Sequence, residues 1–191
     1  MKVWPFLVCV VSALSIGRAD VVTKWNEAIL ESIRTENSHP CVASRALAIV
    51  HGAMFDVAAN ISAKEPFHTI ESAPGGANFE IALNSAAYTA ATNLYPSRTA
   101  AFTKVYQSVL REFPANEARA RSIRFGSAVA DSWISWRAAD ASSGTRIYIP
   151  SAEPGAWRRT PPFNRPPEMQ NWERGTPFAL ASPSQFRPSG P

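Results

Sequence analysis

The distribution of proline most limits the folds open to this chain. Ten of its 16 prolines stand at or after Pro150. A proline inside a helix removes a backbone hydrogen bond and clashes with the preceding turn, so no long helix can form in that part. Long helices are therefore confined to the chain before about residue 144.

Before that point, apolar residues recur at helical spacing in five stretches. In Val42–Ile61 the steps of three and four place one apolar stripe on a helix, formed by Ala46, Ile49, Val50, Ala53, Met54, Val57 and Ile61. Further stripes predict helices over Asp20–Arg34, Asn78–Leu94, Arg98–Phe113 and Asn116 to about Ala139. Asp20, Ser97 and Asn116 are suited to cap three of these helices. We predict an all-α fold, a helical bundle of about five helices with Val42–Ile61 at its centre.

The proline-rich part, residues 145–191, is also rich in large apolar side chains. These are Trp157, Phe163, Trp172, Phe178, Leu180 and Phe186. A disordered linker lacks such residues. We therefore predict an ordered, extended meander that is anchored to other structure by its aromatic side chains and follows a helical domain of residues 20–144.

The first nineteen residues have the pattern of a secretory signal peptide. Lys2 is followed by the apolar run Trp4–Leu14 and by the small-residue end Gly17-Arg18-Ala19. The run is shorter than the ~20 residues that a membrane-spanning helix needs. We expect cleavage before Asp20, a secreted or periplasmic protein, and no stable membrane anchor after cleavage.

The charge and cysteine content of the mature chain argue against a nucleic-acid-binding protein and against a disulfide-stabilised one. Without Lys2 and Arg18, 17 basic residues face 15 acidic ones, a net charge of +2 with no basic cluster typical of a nucleic-acid partner. Only Cys41 remains after cleavage, so no internal disulfide can form. The packed core alone must then stabilise the fold.

Common enzyme motifs are missing from the sequence. It contains no G-x-S-x-G, H-E-x-x-H, P-loop, G-x-G-x-x-G or C-x-x-C pattern. A metal site needs several His, Asp or Glu residues at matched spacing, and His51 with Asp56 does not meet this requirement. We predict no catalytic, cofactor-binding or metal-binding residue in this chain.

Six polar or aromatic residues stand out as structural candidates: Trp25, Arg45, His51, Asp56, Trp157 and Arg158. For Trp25 we expect a core position with its N–H on a carbonyl oxygen, and for His51 a satisfied core position. Arg45 and Asp56 share a helix face with Gly52, which suits caps, backbone contacts or buried ion pairs.

The arginines of the meander allow two interpretations. Arg158 and Arg159, with Arg165 and Arg174, could hold an anion. Arginines in proline-rich segments more often bond carbonyl and carboxylate oxygens, which is the interpretation we favour.

Five segments taken together resemble a known family. They are W-N-E-A-I-L-E-S-I-R (Trp25–Arg34), A-S-R-A-L-A-I-V-H-G-A-M-F-D-V-A-A-N-I (Ala43–Ile61), N-L-Y-P (Asn93–Pro96), P-G-A-W-R-R-T-P-P (Pro154–Pro162) and T-P-F-A-L-A-S-P-S-Q-F-R-P (Thr176–Pro188). In this order they resemble the amino-terminal part of bacterial vanadium-dependent haloperoxidase-like proteins of the PAP2 phosphatase superfamily. The resemblance implies an all-helical fold and, in a full-length protein, a bound vanadate or phosphate.

The same resemblance implies that this chain is inactive by itself. The family's anion-binding lysine, arginines and histidines lie in carboxy-terminal motifs of the form K-x-x-x-x-x-x-R-P, P-S-G-H and S-R-x-x-x-x-x-H. The first does not occur here, and Pro188-Ser189-Gly190 is followed by Pro191 and not by histidine. Ser44, Arg45 and His51 have the spacing of the third, but they lie in the amino-terminal Ala43–Ile61 segment and not in a carboxy-terminal motif. The expected partner is the missing carboxy-terminal half or an equivalent helical surface. The alternative is a non-catalytic secreted interaction module whose tail is an extended recognition segment.

Overall fold

A computed structural model of the protein describes residues 20–138, 140 and 147–189. The described residues form five α-helices and no β-strand, so the predicted all-α helical bundle is confirmed. The predicted signal peptide, residues 1–19, and the predicted end of the last helix at Ala139 lie outside the described residues.

The helices are α1 (Val21–Thr35), α2 (Pro40–Ile61), α3 (Phe79–Leu94), α4 (Thr99–Leu110) and α5 (Glu117–Ala138). Two of the predicted caps are confirmed. Asp20 Oδ1 accepts from Thr23 N at 2.7 Å, and Asn116 Oδ1 accepts from Arg119 N at 2.9 Å. The predicted cap at Ser97 is wrong, because the 3₁₀ turn Pro96–Arg98 precedes α4 and the Ser97 hydroxyl donates to Glu36.

The central helix is α3 and not α2 as predicted. Nine of the 16 residues of α3 are buried, and it contacts all four other helices. Small residues occur on every side of α3, so neighbouring helices can approach from all directions. Helix α2 contacts α1, α3 and α5 and leaves the side chain of Phe55 55% exposed.

Two glycines allow α5 to lie close to α2 and α3. A Cβ atom at Gly52 would lie 2.3 Å from the ring of Trp133, and one at Gly126 would lie 2.1 Å from the carbonyl oxygen of Ala82. Neither position can therefore hold a larger residue without movement of the packed helices.

A buried polar contact joins three of the helices. Trp25, which is fully buried, donates from Nε1 to Asn84 Oδ1 at 2.8 Å, and Asn84 Nδ2 donates to the carbonyl oxygen of Tyr106 at 3.0 Å. The indole N–H thus meets a carbonyl oxygen, that of a side-chain amide. This chain of bonds connects α1, α3 and α4 and satisfies the polar atoms that their packing buries.

Helix α2 is also long and apolar enough, by length and composition, to cross a membrane. The core helix of a bundle has the same two properties. Eight residues of α2 are buried, against the helices that surround it. These contacts account for its apolar character.

The described part of the meander, residues 147–189, has turns and one 3₁₀ turn, Trp172–Arg174, as its regular structure. Among its predicted anchors, Phe178 packs on the helical bundle, with ring centroids 6.4 Å from Trp133 and 6.2 Å from Trp136. Phe163 and Phe186 are each 77% exposed, so they do not anchor the tail to the described part of the bundle. The meander therefore meets the bundle around Phe178.

Candidate functional site

A buried carboxylate on α2 organises the loop between α2 and α3. Asp56 is fully buried, and its Oδ1 accepts from the backbone N–H of Phe67 at 2.6 Å. Its Oδ2 accepts from the backbone of His68 at 3.0 Å and of Thr69 at 2.7 Å, and from Trp133 Nε1 at 2.8 Å. Four N–H donors thus share one carboxylate, which connects the loop to both α2 and α5.

Asp56 and Arg45 lie on the same helix but do not pair with each other. Arg45 instead donates from Nε to Asp140 Oδ2 at 3.2 Å. Arg45 Nη2 donates to the carbonyl oxygen of Arg137 at 2.7 Å. Of the contacts that the sequence allowed, Asp56 makes backbone contacts and Arg45 makes an ion pair.

Arg137, at the end of α5, forms the centre of the junction between the bundle and the meander. The residue is 1% exposed, and its Nη1 donates to the carbonyl oxygen of Thr176 at 2.6 Å and contacts Asp140. Its guanidinium carbon lies 3.8 Å from the ring centroid of Trp136 and 3.6 Å from that of Phe178. The cation is therefore enclosed by two aromatic rings and bonded to the meander backbone.

The electrostatics of this junction depend on Asp140. Burial lowers the pKa of Arg137, and the neighbouring Asp140 carboxylate opposes that shift. Asp140 accepts from Arg45, from Arg137 and from the backbone N–H of Thr176 at 3.3 Å. Two guanidinium groups and one carboxylate leave this junction with one net positive charge.

The sequence did not single out Arg137 or Asp140. The available signal was their spacing, since an arginine and an aspartate three positions apart at a helix end are placed to pair. Their bonds to Thr176, 36 to 39 positions further along the chain, had no such signal.

His51 lies apart from both carboxylates. Its Nε2 lies 3.3 Å from Asn26 Oδ1, and burial lowers the pKa of the imidazole. Within residues 20–138, 140 and 147–189, no three His, Cys, Asp or Glu side chains come together in a way that could hold a metal ion. His51 therefore contributes to a helix contact between α1 and α2.

Trp157 and Arg158 lie within the meander. Trp157 is 41% exposed, and its ring meets that of Tyr148 edge to face at 5.8 Å. Arg158 donates to the carbonyl oxygen of Ala152 at 3.3 Å, and Arg159 donates to that of Asn164 at 3.2 Å. Both arginines therefore donate to backbone carbonyl oxygens, which is the interpretation favoured for arginines in a proline-rich segment.

A cavity of about 280 Å³ opens beside the Arg137 junction. Arg45 and Asp140 form its charged part, and Trp172, Thr176, Phe178 and Leu180 contribute most of the remaining wall. It combines ionic groups with an apolar surface, as small-molecule sites usually do.

No family model matches this chain, and neither a curated protein nor a solved structure matches it. The resemblance seen in the sequence therefore stays a prediction.

Proposed function

We propose that this chain is the helical scaffold of a secreted vanadium-dependent haloperoxidase-like or PAP2-type phosphatase-like protein, and that it is inactive by itself. Five sequence segments support the family, and the all-α bundle is compatible with the helical fold that the resemblance implies. In such a protein, fixed cations hold an oxyanion while a histidine acts as general acid–base.

The observation that carries this proposal is the way the buried arginines are used. An oxyanion cradle needs several cations whose donors converge on one open point. Arg137 is instead enclosed by Trp136 and Phe178 and bonded to Thr176 and Asp140. The donors of Arg137 are thus used within the protein, and we assign no step of the reaction to this residue.

The exposed apolar residues of the meander support a second part of the proposal, which concerns the partner. Ile147, Ile149, Phe163 and Phe186 are between 77% and 85% exposed. Large apolar side chains that are left exposed are available to a covering surface. We propose that the carboxy-terminal half of the family fold, or an equivalent helical surface, covers these side chains.

The test is to sequence the transcript beyond the codon for Pro191. A continuation that encodes the lysine, arginine and histidine motifs is the expected result. The longer protein should then either oxidise bromide with peroxide in the presence of vanadate or hydrolyse a phosphate monoester. The 191-residue chain in the same assay is the control and should show no turnover. A stop codon directly after Pro191 would contradict the scaffold proposal.

The same exposed side chains also suit the alternative, a secreted interaction module with an extended recognition segment. In that case the apolar residues would contact a separate protein. A natural stop after Pro191, combined with a partner whose binding is lost on Phe163→Ser and Phe186→Ser substitution, would favour this alternative.

A further inference from the structure

A second cavity lies within the meander and has two aromatic walls. Its volume is about 150 Å³, and six residues line it: Tyr148, Trp157, Pro167, Glu168, Gln170 and Glu173. The rings of Tyr148 and Trp157 stand almost perpendicular, at 84°, with their centroids 5.8 Å apart. They form an aromatic corner, in which one ligand can contact both rings. Trp157 is 41% exposed, so part of its ring is open to a ligand from solvent.

The charged groups of this cavity are carboxylates. Glu168 and Glu173 line it, whereas no lysine or arginine does so among the described residues. The side chain of Glu168 is 60% exposed, so its carboxylate is accessible to a ligand. The faces of aromatic rings are negative as well. Carboxylates beside an aromatic corner attract a cation and repel an anion, so the lining favours a positively charged ligand.

Contacts within the protein hold the walls of the cavity in place. The side chain of Gln170 accepts from the backbone N–H of Tyr148 and donates to the carbonyl oxygen of Pro167 at 2.9 Å. Glu168 Oε2 lies 3.1 Å from Nε2 of His39, the residue that caps α2, so this carboxylate is positioned against the bundle. A site whose walls are already ordered loses less conformational entropy when a ligand binds.

The aromatic corner also selects the kind of cation. A primary ammonium group is compact and strongly hydrated. A quaternary ammonium group instead presents methyl groups to the rings, and aromatic cages recognise such groups in other proteins. A cavity of ~150 Å³ can hold a benzene molecule, which is similar in size to a trimethylammonium group. The volume and the walls therefore fit a small methylated cation.

We propose that this cavity binds a small quaternary ammonium compound of the choline type. Its methyl groups contact Tyr148 and Trp157, and its positive charge faces Glu168. The scaffold proposal does not depend on this site, so either of the two proposals can fail alone.

Choline chloride is the probe, and the indole N–H signals of the ¹⁵N-labelled 191-residue chain are the readout. The Trp157 signal, assigned by its loss in Trp157→Leu, should shift saturably as choline is added. Neohexyl alcohol has the shape of choline without its charge, and betaine adds a carboxylate that Glu168 repels. Each should bind at least about fivefold more weakly than choline, because each weakens the electrostatic part of the recognition.

Two variants separate the aromatic and the charged contribution. Trp157→Leu keeps an apolar wall without the aromatic face, and Glu168→Gln keeps the shape without the charge. Saturation transfer from the protein to the choline methyl protons should show binding weakened by roughly fivefold in each, and Trp157→Phe should retain most of the affinity. Phe186→Leu is the matched control, because this exposed ring lies outside the cavity, and it should bind choline as the wild type does. All three positions are exposed, so the urea midpoints should equal that of the wild type.

Four results would overturn the proposal. The first is a Trp157 signal that choline does not shift at high millimolar concentration. The second is that neohexyl alcohol binds as tightly as choline, which would mean that charge plays no part. The third is unchanged choline binding in Trp157→Leu or in Glu168→Gln. The fourth is binding to phosphatidylcholine vesicles without binding of free choline, which would mean that the protein recognises a membrane surface and not a small cation.

Discussion

Asp56 gives the most demanding test of how the bundle is stabilised. We expect Asp56→Asn to be strongly destabilising although it changes one atom of the side chain. The carboxylate accepts one N–H at Oδ1 and three at Oδ2. An amide has only one oxygen, so in its better orientation the amide keeps three bonds and points its NH₂ group at the backbone N–H of Phe67.

The magnitude follows from those bonds. Hydrogen bonds to a charged group contribute about 1.5–3 kcal/mol each, and neutral ones about 0.5–1.5 kcal/mol. The three retained bonds would each weaken by about 1 kcal/mol, and the amide NH₂ group would face the N–H donor of Phe67. Together these losses exceed the gain from burying a neutral side chain in place of a charged one. We therefore expect the free energy of unfolding to fall by roughly 3 kcal/mol.

Urea denaturation followed by far-UV circular dichroism measures this change. The matched control is Asp131→Asn on α5, where the aspartate is exposed, and its effect should stay within about 0.5 kcal/mol. An equally small effect of Asp56→Asn would refute the reasoning, because it would mean that the four contacts contribute almost nothing.

Three further predictions concern packing, pH and the tail. Gly126→Ala should destabilise by about 1–3 kcal/mol, because its Cβ would meet the backbone oxygen of Ala82, whereas the unobstructed Gly75→Ala should be neutral in the same urea experiment. Burial lowers the folded-state pKa of His51 below 6.5. The unfolded chain therefore binds this proton at a higher pH than the folded chain does. Stability should fall as the pH drops from 6.5 through the lowered pKa. Replacing His51 by Gln should flatten thermal stability in that window; an unchanged profile would contradict the burial argument. Phe178→Ala should speed proteolysis within residues 147–189 without changing that of α3, and equal cleavage rates would show that this ring does not anchor the meander.

The sequence predicted the helices well because their signals are local. Apolar spacing and the caps at Asp20 and Asn116 depend on residues within one or two turns. The central position of α3 was missed for a related reason. Its buried residues surround the helix, so they form no single stripe that would separate a central helix from a peripheral one.

The contacts of the candidate site could not be predicted in the same way. Asp56 bonds backbone N–H groups 11 to 13 positions away, and backbone groups carry no sequence signature. Arg137 meets Thr176 only because the meander returns to the end of α5. Such contacts depend on the path of an irregular segment, which proline content alone does not define.

Equilibrium dialysis of the purified protein against orthovanadate tests the central claim most directly. The claim is that this chain supplies helical walls but no oxyanion cradle, so the protein should take up no stoichiometric vanadate at micromolar concentration. Tight binding of one vanadate per chain would contradict the account, because an oxyanion cradle needs several cations whose donors converge on one point.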